Sequence, residues 1–283
     1  MKKKRGLLLA LAIVLLCLLL PGFVSALKIV RYEVTAAGLL QPVRIALVTD
    51  LHACAYGHDQ RKLLDAIEEQ APDILLLGGD IFDDKLPDEK AAVFLREIGG
   101  KYPCYYVTGN HEYWSGKAGF AEKMATLEAC GIRRLSGEAV TLAAGGGAVI
   151  LCGVDDPDAW ENDRGYTEHR DDSFREQLAQ AAAQAEDGRF TVLLTHRPEQ
   201  MELYARIGFD LVLAGHAHGG QWRIPGILNG LYAPDQGLFP PYAGGRYELD
   251  GTVMIVSRGL ARESTRVPRF YNRPELVMIE LKP

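Results

Sequence analysis

Short apolar runs recur along the chain, and each stops at a side chain able to hold a metal or a proton. Arg44-Ile-Ala-Leu-Val-Thr49 stops at Asp50, and Asp73-Ile-Leu-Leu-Leu-Gly-Gly79 at Asp80. Cys104-Tyr-Tyr-Val-Thr108 stops at Gly109-Asn110, Phe190-Thr-Val-Leu-Leu-Thr195 at His196, and Asp210-Leu-Val-Leu-Ala214 at Gly215-His216. Short runs that are apolar on both faces predict strands inside a covered sheet. Stretches with helical signals separate them: Asp59 to Gln70 (Leu63, Leu64 and Ile67 on one face), Pro87 to Ile98, Lys117 to Ala129 closed by Gly131, the alanine-rich Ser173 to Glu186, and Pro198 to Ile207. Ile132 to Leu151 reads as short strands about a turn at Gly145-Gly146-Gly147, and Val253 to Ser257 and Leu276 to Leu281 as closing strands. Asp155 to Asp172 is acidic and irregular; Gln221 to Tyr247 is rich in Gly, Pro and aromatic residues. Alternation of this kind predicts an α/β sandwich in one domain, residues 43–283.

The first 27 residues differ in kind. Lys2, Lys3, Lys4 and Arg5 precede an uncharged, leucine-rich run from Gly6 to Leu27. Roughly 20 apolar residues suffice to cross a bilayer. The basic end should remain cytoplasmic, which places the rest of the chain at the extracytoplasmic side of a cell membrane. A cleavable signal is the rival reading, with Val24-Ser25-Ala26 as the cleavage site and a secreted domain as the result. Residues 28–42 form a short connector with an edge strand over Ile29 to Val34.

The 283 residues carry 48% hydrophobic and 24% charged positions and a formal net charge of −6. That balance allows one large core and excludes a basic nucleic-acid face. Five cysteines lack metal-like pair spacing, and buried thiols are expected. No G-x-x-x-x-G-K-[ST], no G-x-G-x-x-G after a strand and no G-x-S-x-G occurs, which excludes those nucleotide-binding and serine-hydrolase sites.

The strand stops hold the chemistry, because α/β sheets build sites at the carboxyl ends of their strands. Of seven histidines, His52, His111, His196, His216 and His218 sit at or just after a stop, leaving His58 and His169. Asp50/His52 and His216/His218 are spaced by two, and an extended backbone would point both members of each pair to one side. Asp80, a carboxylate ending a buried strand, needs a positive neighbour, and Gly78 and Gly79 let other groups approach it. Mixed nitrogen and oxygen donors suit Zn, Mn or Fe more than Ca. Asp50, His52, Asp80, Asn110, His196, His216 and His218 suffice for two divalent ions sharing one carboxylate. Two such ions roughly 3.5–4 Å apart clamp the attacking and leaving oxygens of a displacement and activate a bridging water.

Asp50-Leu-His52, Gly79-Asp80, Gly109-Asn110-His111-Glu112, His196 and Gly215-His216-Ala217-His218, in this order, resemble the pattern of the calcineurin-like metallophosphoesterases. Gly215 to Gln221 and Val267 to Glu275 look like its membrane-anchored bacterial branch, typified by YkuE and YaeI. The resemblance implies a four-layer αββα sandwich, here with an N-terminal hydrophobic helix. It implies one metal on Asp50, His52, Asp80 and His218, and a second on Asp80, Asn110, His196 and His216. It gives His111 the role of transition-state stabiliser or general acid. Where related protein phosphatases place a phosphate-gripping arginine, this chain has an acid, in Asp83-Asp84-Lys85. That leans toward a monoanionic diester over a dianionic monoester, unless both acids are solvated loop residues. Gln221 to Tyr247 is expected to be a flap facing a lipid-linked phosphoester, with Trp222 and Phe239 touching substrate, or else a loop packed over the sheet edge. Two alternatives stand beside the phosphodiesterase: a phosphomonoesterase of the same fold, and a membrane-tethered, metal-bound interaction module.

Overall fold

A computed structural model describes residues 19–160, 170–185, 188–262 and 267–283, together with Ile13, Leu16 and Cys17. Its strands in chain order are β1 (Lys28–Thr35), β2 (Val43–Val48), β3 (Ile74–Gly78), β4 (Cys104–Val107), β5 (Arg133–Arg134), β6 (Glu138–Ala144) and β7 (Gly147–Gly153). They continue with β8 (Thr191–Leu194), β9 (Leu211–Ala214), β10 (Tyr232–Ala233), β11 (Gly237–Leu238), β12 (Gly245–Leu249), β13 (Thr252–Val256) and β14 (Glu275–Lys282). One six-stranded sheet runs β1-β14-β2-β3-β4-β5 and the other β12-β13-β9-β8-β7-β6, with β10 and β11 as a separate hairpin.

The apolar runs lack an alternating pattern because both faces of each sheet are covered. Ile45, Leu47, Leu76 and Ile279 of the first sheet face Val149, Leu151, Leu194 and Leu213 of the second, in a core between the sheets. The alternate positions Ala46, Val48, Leu75 and Leu77 pack outward on Leu63 and Ile67 of the helix Arg61–Gln70 and on Phe94 and Leu95 of Glu89–Ile98. On the far side, Leu193, Val212 and Met254 pack on Phe174 and Leu178 of Arg170–Ala183 and on Met201 and Tyr204 of Met201–Ile207. The order is therefore helix, sheet, sheet, helix. Each fully buried Leu or Ile contributes roughly 1.5–3 kcal/mol.

β2, β3 and β4 are mutually parallel, as are β7, β8 and β9. Parallel pairing brings the carboxyl ends of neighbouring strands to one edge of each sheet, where the site lies. β1 pairs with β14 from Lys28↔Glu275 to Thr35↔Lys282, so this part of the predicted connector is built into the sheet. No helix among the described residues is long and apolar enough to cross a membrane. Most of the predicted anchor lies outside the described residues, as do 161–169 of the acidic segment and Glu186 of the predicted helix. No disulfide joins the described cysteines.

Candidate metal centre

Five of the seven candidate ligands depart from ordinary strand geometry. Asp50 (φ 51°), His52 (47°), Asp80 (52°), His216 (65°) and His218 (47°) all have left-handed backbone. The extended geometry expected for the pairs spaced by two is not what brings them together. The chain turns sharply off each strand instead, and it is this turn that swings consecutive donors into one place. Such conformations cost of order 1–3 kcal/mol each and persist where the surroundings over-determine them. Asn110 opens a short helix, Asn110–Trp114.

The turns put the donors in two overlapping clusters. Donor atoms of Asp50, His52 and His218 lie within 4.8 Å of one another, as do those of Asp80, His196 and His216, and those of His52, Asp80 and His111. Asp80 Oδ2 is 3.5 Å from His52 Nε2 and 3.2 Å from His196 Nε2. Ligands at about 2.1 Å from a tetrahedral ion are separated by about 3.4 Å, so these spacings suit a shared carboxylate. Glycines make the approach possible. A Cβ on Gly109 would stand 2.2 Å from Asp80 Oδ1, and one on Gly79 would stand 2.6 Å from His196 Nδ1.

His52 Nε2, Asp80 Oδ2, Asn110 Oδ1 and His196 Nε2 are buried with no hydrogen-bond partner among the described residues. Orphaned buried polar atoms are costly, and four together fit a cation. The opposite ring nitrogens are held. His196 Nδ1 lies 2.7 Å from the Gly78 carbonyl, His52 Nδ1 3.0 Å from Asp83 Oδ2, and His216 Nε2 2.8 Å from Asp235 Oδ2. Donation of those protons leaves each remaining nitrogen with a lone pair for metal. Burial disfavours charge on His196, yet Asp80 outweighs it and pushes the imidazole up to about 10. Burial likewise opposes the Asp80 anion, but His196 and His111 hold its carboxyl well below the usual range. The field that attracts a proton here also attracts a metal.

His111 lines the same cavity, of about 410 Å³, with Asp80, Asn110, His216 and His218. Its Nδ1 is 2.6 Å from Asp84 Oδ1, and its ring meets His52 edge-on at 4.4 Å. Asp83 and Asp84 are therefore not solvated loop residues. Asp83 is buried, orients His52, and accepts the N–H groups of Lys85 and Leu86; Asp84 orients His111. The flap does reach the cavity, but through Tyr232, Pro234 and Asp235. Trp222 instead packs on Phe270 at 5.7 Å, and Phe239 lies 66% exposed beyond the hairpin, so neither lines the cavity.

Three further residues shape the centre. Glu112 accepts N–H groups from Asp80, Phe82 and Gly109, joining the ends of two strands. Arg197, fully buried, donates to Asp156, Asp158 and Asp235, and its Nη1 is 3.1 Å from His216 Nε2. Asp235 thus comes from the flap to hold both Arg197 and His216. The sequence signal was present: an arginine directly after a buried strand requires carboxylates, and Asp155 to Asp158 supplies two of them.

A pair of stacked sheets with Asp, Asn and His donors converging at their strand ends fits a metallophosphoesterase. Residues 43–220 match the calcineurin-like phosphoesterase family, and the chain belongs to it. A metallophosphoesterase of Helicobacter pylori is 28% identical over 246 residues, covering 85% of this chain and 60% of that relative's own length. YkuE of Bacillus subtilis is 26% identical over 249 residues, covering 84% and 79%. The sulfate thiohydrolase SoxB of Thermus thermophilus has a similar fold, with a TM-score of 0.51 at 14% identity over 82% of this chain and 54% of its own.

Proposed function

We propose that the chain is a phosphodiesterase working with two divalent transition-metal ions. Asp50, His52, Asp80 and His218 would hold one, and Asp80, Asn110, His196 and His216 the other. The observation that carries this reading is the convergence of the orphaned atoms of His52, Asp80, Asn110 and His196 on one buried place. When bound, such ions supply Lewis acidity and lower the pKa of water.

His111 contributes what the protein itself can add. Asp84 fixes its Nδ1 and leaves Nε2 to face a leaving oxygen and protonate it. The Asp83 and Asp84 carboxylates beside His111 disfavour the second negative charge of a monoester. Arg197 lines the cavity and would favour a monoester, but its charge is already matched by Asp156, Asp158 and Asp235. The charge balance at the cavity therefore supports the diester.

Purified protein should turn over bis(p-nitrophenyl) phosphate faster than p-nitrophenyl phosphate; the reverse order would sink the diester assignment. His111→Ala should lower kcat by about 10²–10³-fold with metal content unchanged. Parallel loss of metal would move His111 into the ligand shell.

An anchored location, with the catalytic domain outside the cytoplasm, is part of the same reading. It is supported by the basic residues Lys2 to Arg5 placed directly before the uncharged run Gly6 to Leu27, and Gly22, near the end of that run, packs on the Phe270 ring. That contact ties the end of the apolar segment to the domain.

A further inference from the structure

The flap exposes apolar side chains, one of them in the cavity wall. Ile227 is 84% exposed, Leu238 67% and Tyr232 54%. Tyr232, a cavity wall, faces Leu238 across the β10-β11 pair, so the apolar surface begins at the cavity mouth. It continues the other way through Trp222, whose carbonyl accepts the Leu231 N–H at 2.9 Å. The Trp222 ring leans on Phe270, and Phe270 meets Phe23 edge-on at 5.0 Å.

Phe23 belongs to the end of the uncharged Gly6 to Leu27 run, where Leu20 and Val24 are also exposed. This end is fastened to the domain. The Tyr271 N–H donates to the Gly22 carbonyl at 2.6 Å, and Arg273 donates to the Ala26 and Leu27 carbonyls at 2.9 and 3.0 Å. The chain segment long enough to enter a bilayer thus leaves the domain through the aromatic contacts that lead to the flap.

We infer that the flap docks on a lipid bilayer, with Ile227, Leu238 and Phe239 entering the interface and the cavity opening at the membrane surface. A phosphodiester carried by a lipid head group would reach the metal cluster there without leaving the membrane. The identity of the cleaved bond rests on the function proposed above; the docking rests only on the anchored location given with it. Apolar side chains entering the acyl boundary bind in proportion to the apolar area they bury, and the anchor proposed above would hold them close to that boundary.

The test uses the full chain reconstituted into phosphatidylcholine vesicles, with plain or brominated acyl chains. The emission that Leu238→Trp adds over wild type should fall at least about twofold in the brominated vesicles. Equal emission in both would overturn the docking. Equal emission with a mass of two copies would assign the surface to a second copy of the chain instead.

A second arm combines Ile227→Asp with Leu238→Asp. Turnover of an alkyl p-nitrophenyl phosphodiester dissolved in the vesicles should drop about tenfold, a change of about 1.4 kcal/mol, while soluble bis(p-nitrophenyl) phosphate is cleaved as before. Undiminished vesicle turnover, or equal loss on both substrates, would count against the docking. If wild type cleaved neither diester, the proposed function would fail while the quenching still decided the docking.

Discussion

Asp80→Asn is expected to abolish phosphoester hydrolysis, with kcat/KM falling at least about 10³-fold, a loss of roughly 4 kcal/mol of barrier lowering. Asp80 Oδ2 stands between His52 Nε2 and His196 Nε2, so it serves both clusters at once. The amide keeps the size and loses the charge. It also turns one oxygen into an N–H donor that no cation tolerates. Bound metal should fall together with activity. The fold should survive, because Asp80 Oδ1 needs only to accept the His111 N–H at 2.9 Å, which an amide oxygen does as well. A variant that keeps its metal and loses less than tenfold would show that Asp80 is not the shared ligand.

Glu112→Ala should damage stability severely. One carboxylate, fully buried, accepts N–H groups from Asp80 (3.0 Å), Gly109 (2.8 Å) and Phe82 (3.1 Å). Alanine orphans all three, at roughly 1–3 kcal/mol for each buried group. A total of about 3–5 kcal/mol should lower Tm by about 10 °C. Glu112→Gln should fall between, because its amide nitrogen would oppose at least one of the same N–H groups. Glu112→Gln should also remove a pH dependence. Burial and the nearby Asp80 push the Glu112 carboxyl up to about 7, above its value in the unfolded chain. The folded state therefore binds the extra proton. This contribution to stability is full below the unfolded carboxyl range and is lost as pH rises through 7. Thermal scans of metal-free protein from pH 4 to pH 8 check the sign; a wild type that gains stability over that range relative to Glu112→Gln would contradict it.

The layered fold was legible because its strands are apolar on both faces and its helices are not. Leu63, Leu64 and Ile67 mark one helix face, and all three are buried. The candidate donors were legible because each lies two to four residues past the end of a strand. How they converge was not, since an alternation rule assumes extended backbone and Asp50, His52, Asp80, His216 and His218 all turn left-handed. Asp83 and Asp84 looked like loop acids because nothing local reveals that histidines 27 and 31 residues away, after the neighbouring strands, need their second nitrogen held. Asp235 is hidden for the same reason, lying 19 residues from His216 within a stretch of turns. Trp222 and Phe239 attracted notice as large side chains, yet the hairpin register sends Tyr232, Pro234 and Asp235 to the cavity.

All of these expectations depend on the strand tips gathering divalent cations, and elemental analysis of the protein reads that directly. Purified without chelator and exchanged into clean buffer, the protein should carry close to two equivalents of Mn, Zn or Fe per chain, falling to one or none in Asp80→Asn. A folded wild-type protein that holds no transition metal, at any metal concentration that leaves it soluble, would contradict the account.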